Sequence, residues 1–436
     1  MKDNREIGPI RVERLLLRGG RILDPSSNVD RLSDLLIVDG KIRKIGGEKF
    51  TQSDGILLDC KDKIIVPGLI DMHVHLREPG REDEETIASG CRAAMAGGFT
   101  AVCCMPNTHP VIDTRGQVEF IKERSEGFLV DVHPIAAVTV GQKGTELTEM
   151  GDEVAAGAVG FSDDGYPVQK AAILRRALEY AKTFGYPIIE HCEDTSLSEN
   201  GVMNEGFVST TLGLRGIPSI SEEIHVARDL LIADYTGGPL HIAHVSTKGS
   251  VHLIREAKKR GISVTAETCP HYLVLTEEAV REFDTNTKMK PPLRTKEDQK
   301  ALWVGLKDGT IDVIASDHAP HAIEEKETEY DAAAFGIVGL ETALGLMMTY
   351  ALRKKVLTLP ELVKKMAILP RKILNLPENR IQEGSLANLT IVDLNKKWTV
   401  DRTQFHSKSR NTPFDGWPLE GASFGVVNNN QLYYKF

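Results

Sequence analysis

The sequence predicts an α/β chain in which a closed (β/α)8 barrel of parallel strands carries a small β-sandwich built from both chain ends. Three observations predict it. Eight short, β-branched apolar runs lie between residues 65 and 317, a stretch of helical periodicity follows each, and the two ends carry a turn-rich β pattern of another kind.

In order, the eight runs are Ile65–His75, Gly98–Met105, Asp131–Val140, Gly157–Asp164, Pro187–His191, Leu240–Val245, Ser263–Glu267 and Ile311–Asp317. Helical patterns such as Ala171–Phe184, Glu222–Ala233 and Val251–Arg260 fall between them. Eight such units suit closure into a TIM-type barrel. An open doubly wound sheet is the alternative, but no glycine-rich phosphate loop follows the first run. Residues 12–64 read as short strands separated by Asp-Gly and Gly-Gly turns, and residues 383–436 repeat that style. Neither end buries an apolar face alone, so the two are expected to pack together. The expected division is therefore a sandwich of residues 1–64 and 383–436 around a catalytic barrel of residues 65–382.

Composition excludes several roles. Hydrophobic residues are 41% and charged residues 26% of the 436, values of a soluble globular chain. A net charge of −9 leaves no basic excess to displace counterions from nucleic acid. No apolar stretch approaches the length of a membrane span, and the N-terminus lacks the apolar core of a signal peptide, so the cytoplasm is the expected location. The six cysteines (60, 91, 103, 104, 192 and 269) show no CxxC spacing and no disulfide framework.

Barrel enzymes place their reacting groups at the C-terminal ends of strands. The first run ends in His73-Val74-His75, and residues i and i+2 of a strand share a face, which directs both imidazoles into the barrel mouth. An isolated HxH is weak evidence of a metal, since surface histidines are common; its place at a strand end strengthens it. The fifth run ends in His191, the sixth reaches His244 and the eighth ends in Asp317. By alternation only one of His241 and His244 faces inward, and the later lies nearer the mouth. On the eighth run Val313, Ala315 and Asp317 share a face, which sends His318 elsewhere. Any one of these is ordinary as a polar strand terminus; together they suggest a metal centre with an open position for water.

This HxH, His, His, Asp pattern resembles the amidohydrolase superfamily. Further segments narrow the resemblance to the dihydroorotases: Met72–Gly80 (MHVHLREPG), Cys104–Thr108 (CMPNT), Gly160–Gly165 (GFSDDG), His244–Thr247 (HVST), Lys290–Arg294 (KPPLR), Asp317–His321 (DHAPH) and Ser407–Pro413 (SKSRNTP). The resemblance implies reversible interconversion of N-carbamoyl-L-aspartate and L-dihydroorotate in pyrimidine synthesis, with one or two zinc ions. It puts His73, His75 and Asp317 on one metal and His191 and His244 on a second. Many relatives bridge the two with a carboxylated lysine after strand four. This chain has none there, and resemblance to the long-chain, type I members implies Asp164 in that role, against the plainer reading of an Asp-Gly turn.

Asp317 is also implied as the proton shuttle. Arg77, Asn107 and His321 are implied partners of the substrate carboxylate, His75 a further substrate contact, and Phe335-Gly336 a backbone contact. The long polar segment His318–Gly336 reads as a lid or a disordered loop. Lys290 stands where many relatives have a substrate-binding Asn before Pro-Pro-Leu, so that role is not transferred. Asn388, where relatives often carry Asp, is expected to concern only the sandwich. Three further expectations stay open: a hydantoinase or allantoinase, a non-catalytic subunit scaffolding aspartate transcarbamoylase, and an active enzyme that self-associates or associates with that partner.

Overall fold

The computed structural model describes residues 6–47, 50–51 and 54–435. Its eight barrel strands are Leu69–Val74, Phe99–Cys104, Asp131–Pro134, Phe161–Ser162, Ile188–Glu190, Leu240–Ile242, Val264–Thr268 and Val313–Ile314. The first three pair in parallel in sequence order, as do the last five. Single parallel bridges, Ala136 to Phe161 and Val74 to His318, join the two ladders. Asp71 reinforces the closure: both its oxygens accept the Ser316 N–H at 3.1 Å, tying the first strand to the eighth. Burial pushes the Asp71 carboxyl up to about 6.

Helices cover the outside because each presents one apolar stripe. On Ala171–Phe184 the residues Ile173, Leu174, Ala177, Leu178 and Ala181 are buried at helical spacing. Gly185, at φ 75°, ends that helix in the left-handed conformation that glycine adopts most easily. A separate cluster fills the barrel interior, including Ile70, Met72, Cys103, Ile135, Ile189, Ala243, Val313 and Ala315. All six cysteines are buried and unpaired. Among the described residues no helix is long and apolar enough to cross a membrane.

Both chain ends enter one sheet, in which nine strands are described. Leu389–Thr399 pairs antiparallel with Ile64–Pro67 and with Pro418–Asn428, while Arg14–Asp24 pairs parallel with Ile64–Pro67. Leu15, Leu17, Ile22, Leu35, Ile42, Ile65, Leu389, Ile391 and Leu432 share one buried cluster, so the sheet closes over its own apolar face.

Three readings of the sequence need correction here. The run Ile65–His75 is two strands in two sheets: Ile64–Pro67 belongs to the terminal sheet and Leu69–Val74 to the barrel. The break is at Gly68, where a Cβ would lie 1.8 Å from Asn388 Oδ1. The expected boundary after residue 64 thus falls inside a strand. Gly19-Gly20 is not a turn but an irregularity within the strand Arg14–Asp24, with Gly19 at φ 70°. Asn388 is not confined to the sandwich, because its Oδ1 accepts from Thr100 Oγ1 of the second barrel strand at 2.6 Å.

Candidate active site

Six residues named from the sequence meet at the C-terminal mouth of the barrel, all of them buried. Asp164 lies at the centre. Its oxygens are 3.5 Å from His73 Nε2, 3.6 Å from His75 Nε2, 3.7 Å from His191 Nδ1 and 3.3 Å from His244 Nε2. Asp317 Oδ1 is 3.3 Å from His75 Nε2 and 3.7 Å from His73 Nε2.

Local backbone irregularity makes this convergence possible. The first strand changes register between Asp71 and Val74, so His73 and His75 turn inward above the inward-facing Ile70 and Met72. The sixth strand stops at Ile242, and His244 then takes φ 31°, which rotates its ring toward the mouth. His241 also faces inward, with Nε2 3.4 Å from Glu267 Oε2, so strict alternation excluded too much. Asp317 has φ 50°. His318 points away, as its parity predicts: Nδ1 accepts from Gly339 N–H at 3.1 Å and Nε2 lies 3.3 Å from Glu85. Next to Asp164, Asp163 accepts the Val138 and Thr139 N–H groups and so fixes the loop from below.

The outer nitrogens of the imidazoles decide what the inner ones offer. His73 Nδ1 lies 2.6 Å from Glu267 Oε1, His75 Nδ1 2.8 Å from Asn107 Oδ1, and His191 Nε2 3.0 Å from Glu193 Oε2. Each faces an acceptor and therefore carries the proton, leaving a lone pair on the nitrogen that faces the two aspartates. His73 Nε2 is buried without a hydrogen-bond partner. Lone pairs thus converge on carboxylate oxygens at 3.3–3.7 Å, with positive charge needed between them. Imidazole and carboxylate donors suit a divalent metal, and two triads with suitable spacing share His73: His73, His75 and Asp317, and His73, Asp164 and His244.

The residues expected to hold a substrate carboxylate line one side of this mouth. Arg77, at φ 58°, donates from Nε to Pro320 O at 3.1 Å and lies 3.0 Å from Glu84; its Nη2 is 3.4 Å from His321 Nε2. His321 also contacts Phe335 O at 2.7 Å and Glu325 at 3.1 Å. Gly336 has φ 120°, and a Cβ there would sit 2.6 Å from Ala319 Cβ, so the close approach requires glycine. Its N–H donates to Lys288 O, and its carbonyl accepts from Lys326 Nζ and Asn411 Nδ2. The segment from His318 to Gly336 is accordingly pinned: Lys326 is buried and also donates to Ala334 O, while Lys288 Nζ donates to Asp331 O.

Sequence reasoning missed Glu267, Glu193 and Glu84, the buried carboxylates that hold His73, His191 and Arg77. Glu267 had a usable signal, an acidic residue ending a barrel strand that otherwise carries no charge. The other two lie in loops, where spacing says little about direction.

The model of a family described as Dihydro-orotase-like matches residues 62–250. A dihydroorotase of Syntrophus aciditrophicus is 51% identical over 424 residues, covering 97% of this chain and 99% of that protein. One of Pelotomaculum thermopropionicum is 53% identical over 414 residues, covering 95% and 97%. Among solved structures, an L-hydantoinase (dihydropyrimidinase) of Arthrobacter aurescens superposes with TM-score 0.85 at 26% identity, over 96% of this chain and 95% of that one. A dihydropyrimidinase of Brevibacillus agri superposes with TM-score 0.84 at 22% identity, over 96% and 94%, which speaks for the fold alone. With about half of its residues identical to dihydroorotases over nearly its full length, this chain belongs to the dihydroorotase family.

Proposed function

We propose that this chain is a zinc-dependent dihydroorotase that interconverts L-dihydroorotate and N-carbamoyl-L-aspartate, and that Asp164 would serve as a ligand to both of two ions. The observation that carries the reading is the position of Asp164, within 3.7 Å of all four imidazoles, in a chain about half identical to dihydroorotases. His73, His75 and Asp317 would hold one ion, and His191 and His244 the other. Zinc supplies Lewis acidity, polarising an amide carbonyl and lowering the pKa of water to near 7.

The chain's own residues supply the remainder. Asp317, at the mouth and beside His75, accepts the proton of the attacking water and delivers it to the ring nitrogen as the carbon–nitrogen bond breaks. In ring closure the same carboxylate takes the proton from the carbamoyl nitrogen and returns it to the departing water. Arg77, with His321 beside it, would offer its guanidinium to the substrate carboxylate, and Asn107 fixes His75. Glu84 keeps the Arg77 guanidinium in place and offsets its charge when no substrate is bound. The residue numbers of the barrel, about 68 to 382, mark the catalytic unit in this reading, and the terminal sheet supports it.

The experiment is the Arg77→Met variant assayed on dihydroorotate beside wild type, with metal content measured in both. The reading expects turnover to fall by several kcal/mol at most, on the order of a broken buried pair, with metal content unchanged. A harmless substitution removes Arg77 from carboxylate recognition. The same reading expects a cytoplasmic enzyme that associates with itself or with aspartate transcarbamoylase, which light scattering of the chain alone and mixed with that enzyme tests.

A further inference from the structure

Lys290 is one of the positions at which this chain departs from the pattern it resembles, and the structure gives its ammonium a definite partner. Lys290 Nζ is 3.0 Å from Glu193 Oε1. The other oxygen of that carboxylate, Oε2, is 3.0 Å from His191 Nε2. Ser198 Oγ donates to Glu193 Oε1 as well. The carboxylate is thus held at three points, and it is nearly fully buried while the lysine is about a third exposed. On its other side Lys290 Nζ lies 5.7 Å from the centre of the Phe335 ring, in the segment that follows the eighth barrel strand.

From this chain of contacts we propose that Lys290 is a positioning residue for the metal-binding face of the site. It holds Glu193 against His191, and so fixes the ring whose Nδ1 faces Asp164 and His244. Three steps carry the inference. First, a ring nitrogen that donates to a fixed carboxylate cannot rotate freely, and the opposite nitrogen then keeps its direction. Second, the direction matters here, because His191 Nδ1 is 2.9 Å from His244 Nε2 and 3.7 Å from Asp164 Oδ1, a spacing that a small ring rotation would destroy. Third, a buried carboxylate that loses its cation keeps an uncompensated charge and relaxes toward other donors. An uncharged side chain at position 290 offers Glu193 no such cation. The ammonium, drawn to Glu193 and lying beside Phe335, also links the segment after the eighth strand to His191.

The inference rests on the two-ion reading above, and its test separates the two. The zinc content of wild type, Lys290→Met and Lys290→Arg is measured by mass spectrometry after graded exposure to a chelator, and kcat and KM for dihydroorotate are measured on the zinc-loaded proteins. The expected result is that Lys290→Met gives up one of two ions at a chelator concentration about tenfold lower than wild type, the scale of losing a partner that orients a ligand. KM stays within about twofold, as for a change that removes no substrate contact, and Lys290→Arg restores retention. If Lys290→Met keeps both ions as wild type does while KM rises about tenfold, Lys290 binds substrate and the proposal is overturned. If neither quantity moves, Lys290 is a solvated charge and the proposal is equally overturned. A wild type that holds a single ion, untouched by His191→Asn, defeats the two-ion reading itself, whatever the Lys290 variants do.

Discussion

Replacing Glu267 with Gln should weaken metal binding at His73 by about tenfold. Glu267 is fully buried at the end of the seventh barrel strand, with Oε1 2.6 Å from His73 Nδ1 and Oε2 3.4 Å from His241 Nε2. Glutamine keeps the shape and one acceptor but loses the charge. A hydrogen bond to a charged group contributes about 1.5–3 kcal/mol and a neutral one about 0.5–1.5. The difference, roughly 1–2 kcal/mol, corresponds to a factor of about 5–30 at 1.4 kcal/mol per decade. Residues that orient metal ligands commonly account for 10–100-fold in affinity or activity, so the two routes overlap near tenfold. The assay is competition between the metal-free protein and a chelator of known zinc affinity, paired with the rate of the reloaded enzyme. Unchanged affinity and rate, each within about twofold, would refute the argument that Glu267 sets the direction of the His73 lone pair.

Asp317→Asn, which keeps shape but accepts no proton, should slow hydrolysis by ~10²-fold or more with metal retained; a near-wild-type rate would assign the proton to another group. On the proposed reading, Asp164→Ala should release the ion that His191 and His244 would hold more readily than the one that His73, His75 and Asp317 would hold, and equal retention of both would remove the bridge. Lys326 supplies a pH test. Burial, then the charge of Lys288, push its ammonium down to about 7, against about 10.4 for an unfolded lysine. Between those values the unfolded chain binds the extra proton, so the contribution to stability rises with pH and is lost as pH falls through about 7. The Tm advantage of wild type over Lys326→Met should therefore grow from about pH 6.5 to about pH 9; a constant or shrinking gap contradicts it.

The barrel was legible because its signals are local. Apolar runs mark the strands, helical stripes such as Ile173, Leu174, Ala177 and Leu178 mark the cover, and polar residues at run ends mark the mouth. What escaped is what depends on irregular backbone. Alternation could not anticipate the register change after Asp71, nor the left-handed His244 that lets His241 and His244 both face inward. The continuously buried stretch from Ile64 to Val74 hides a change of sheet at Gly68, since both sheets bury those residues. The partners of His191 and Arg77, Glu193 and Glu84, sit in loops whose direction is set only by the assembled fold.

Fold and metal chemistry do not separate this chain from the hydantoinases it superposes on; the substrate does. The most direct measurement is therefore the ratio of kcat/KM for L-dihydroorotate to that for 5,6-dihydrouracil, the same ring without the carboxylate, on the zinc-loaded wild-type protein. The account predicts strong turnover of dihydroorotate and a ratio of ~10² or more, the size expected when the partly buried Arg77 and His321 are left without their anion. Equal turnover of the two rings, or turnover of dihydrouracil alone, would contradict it.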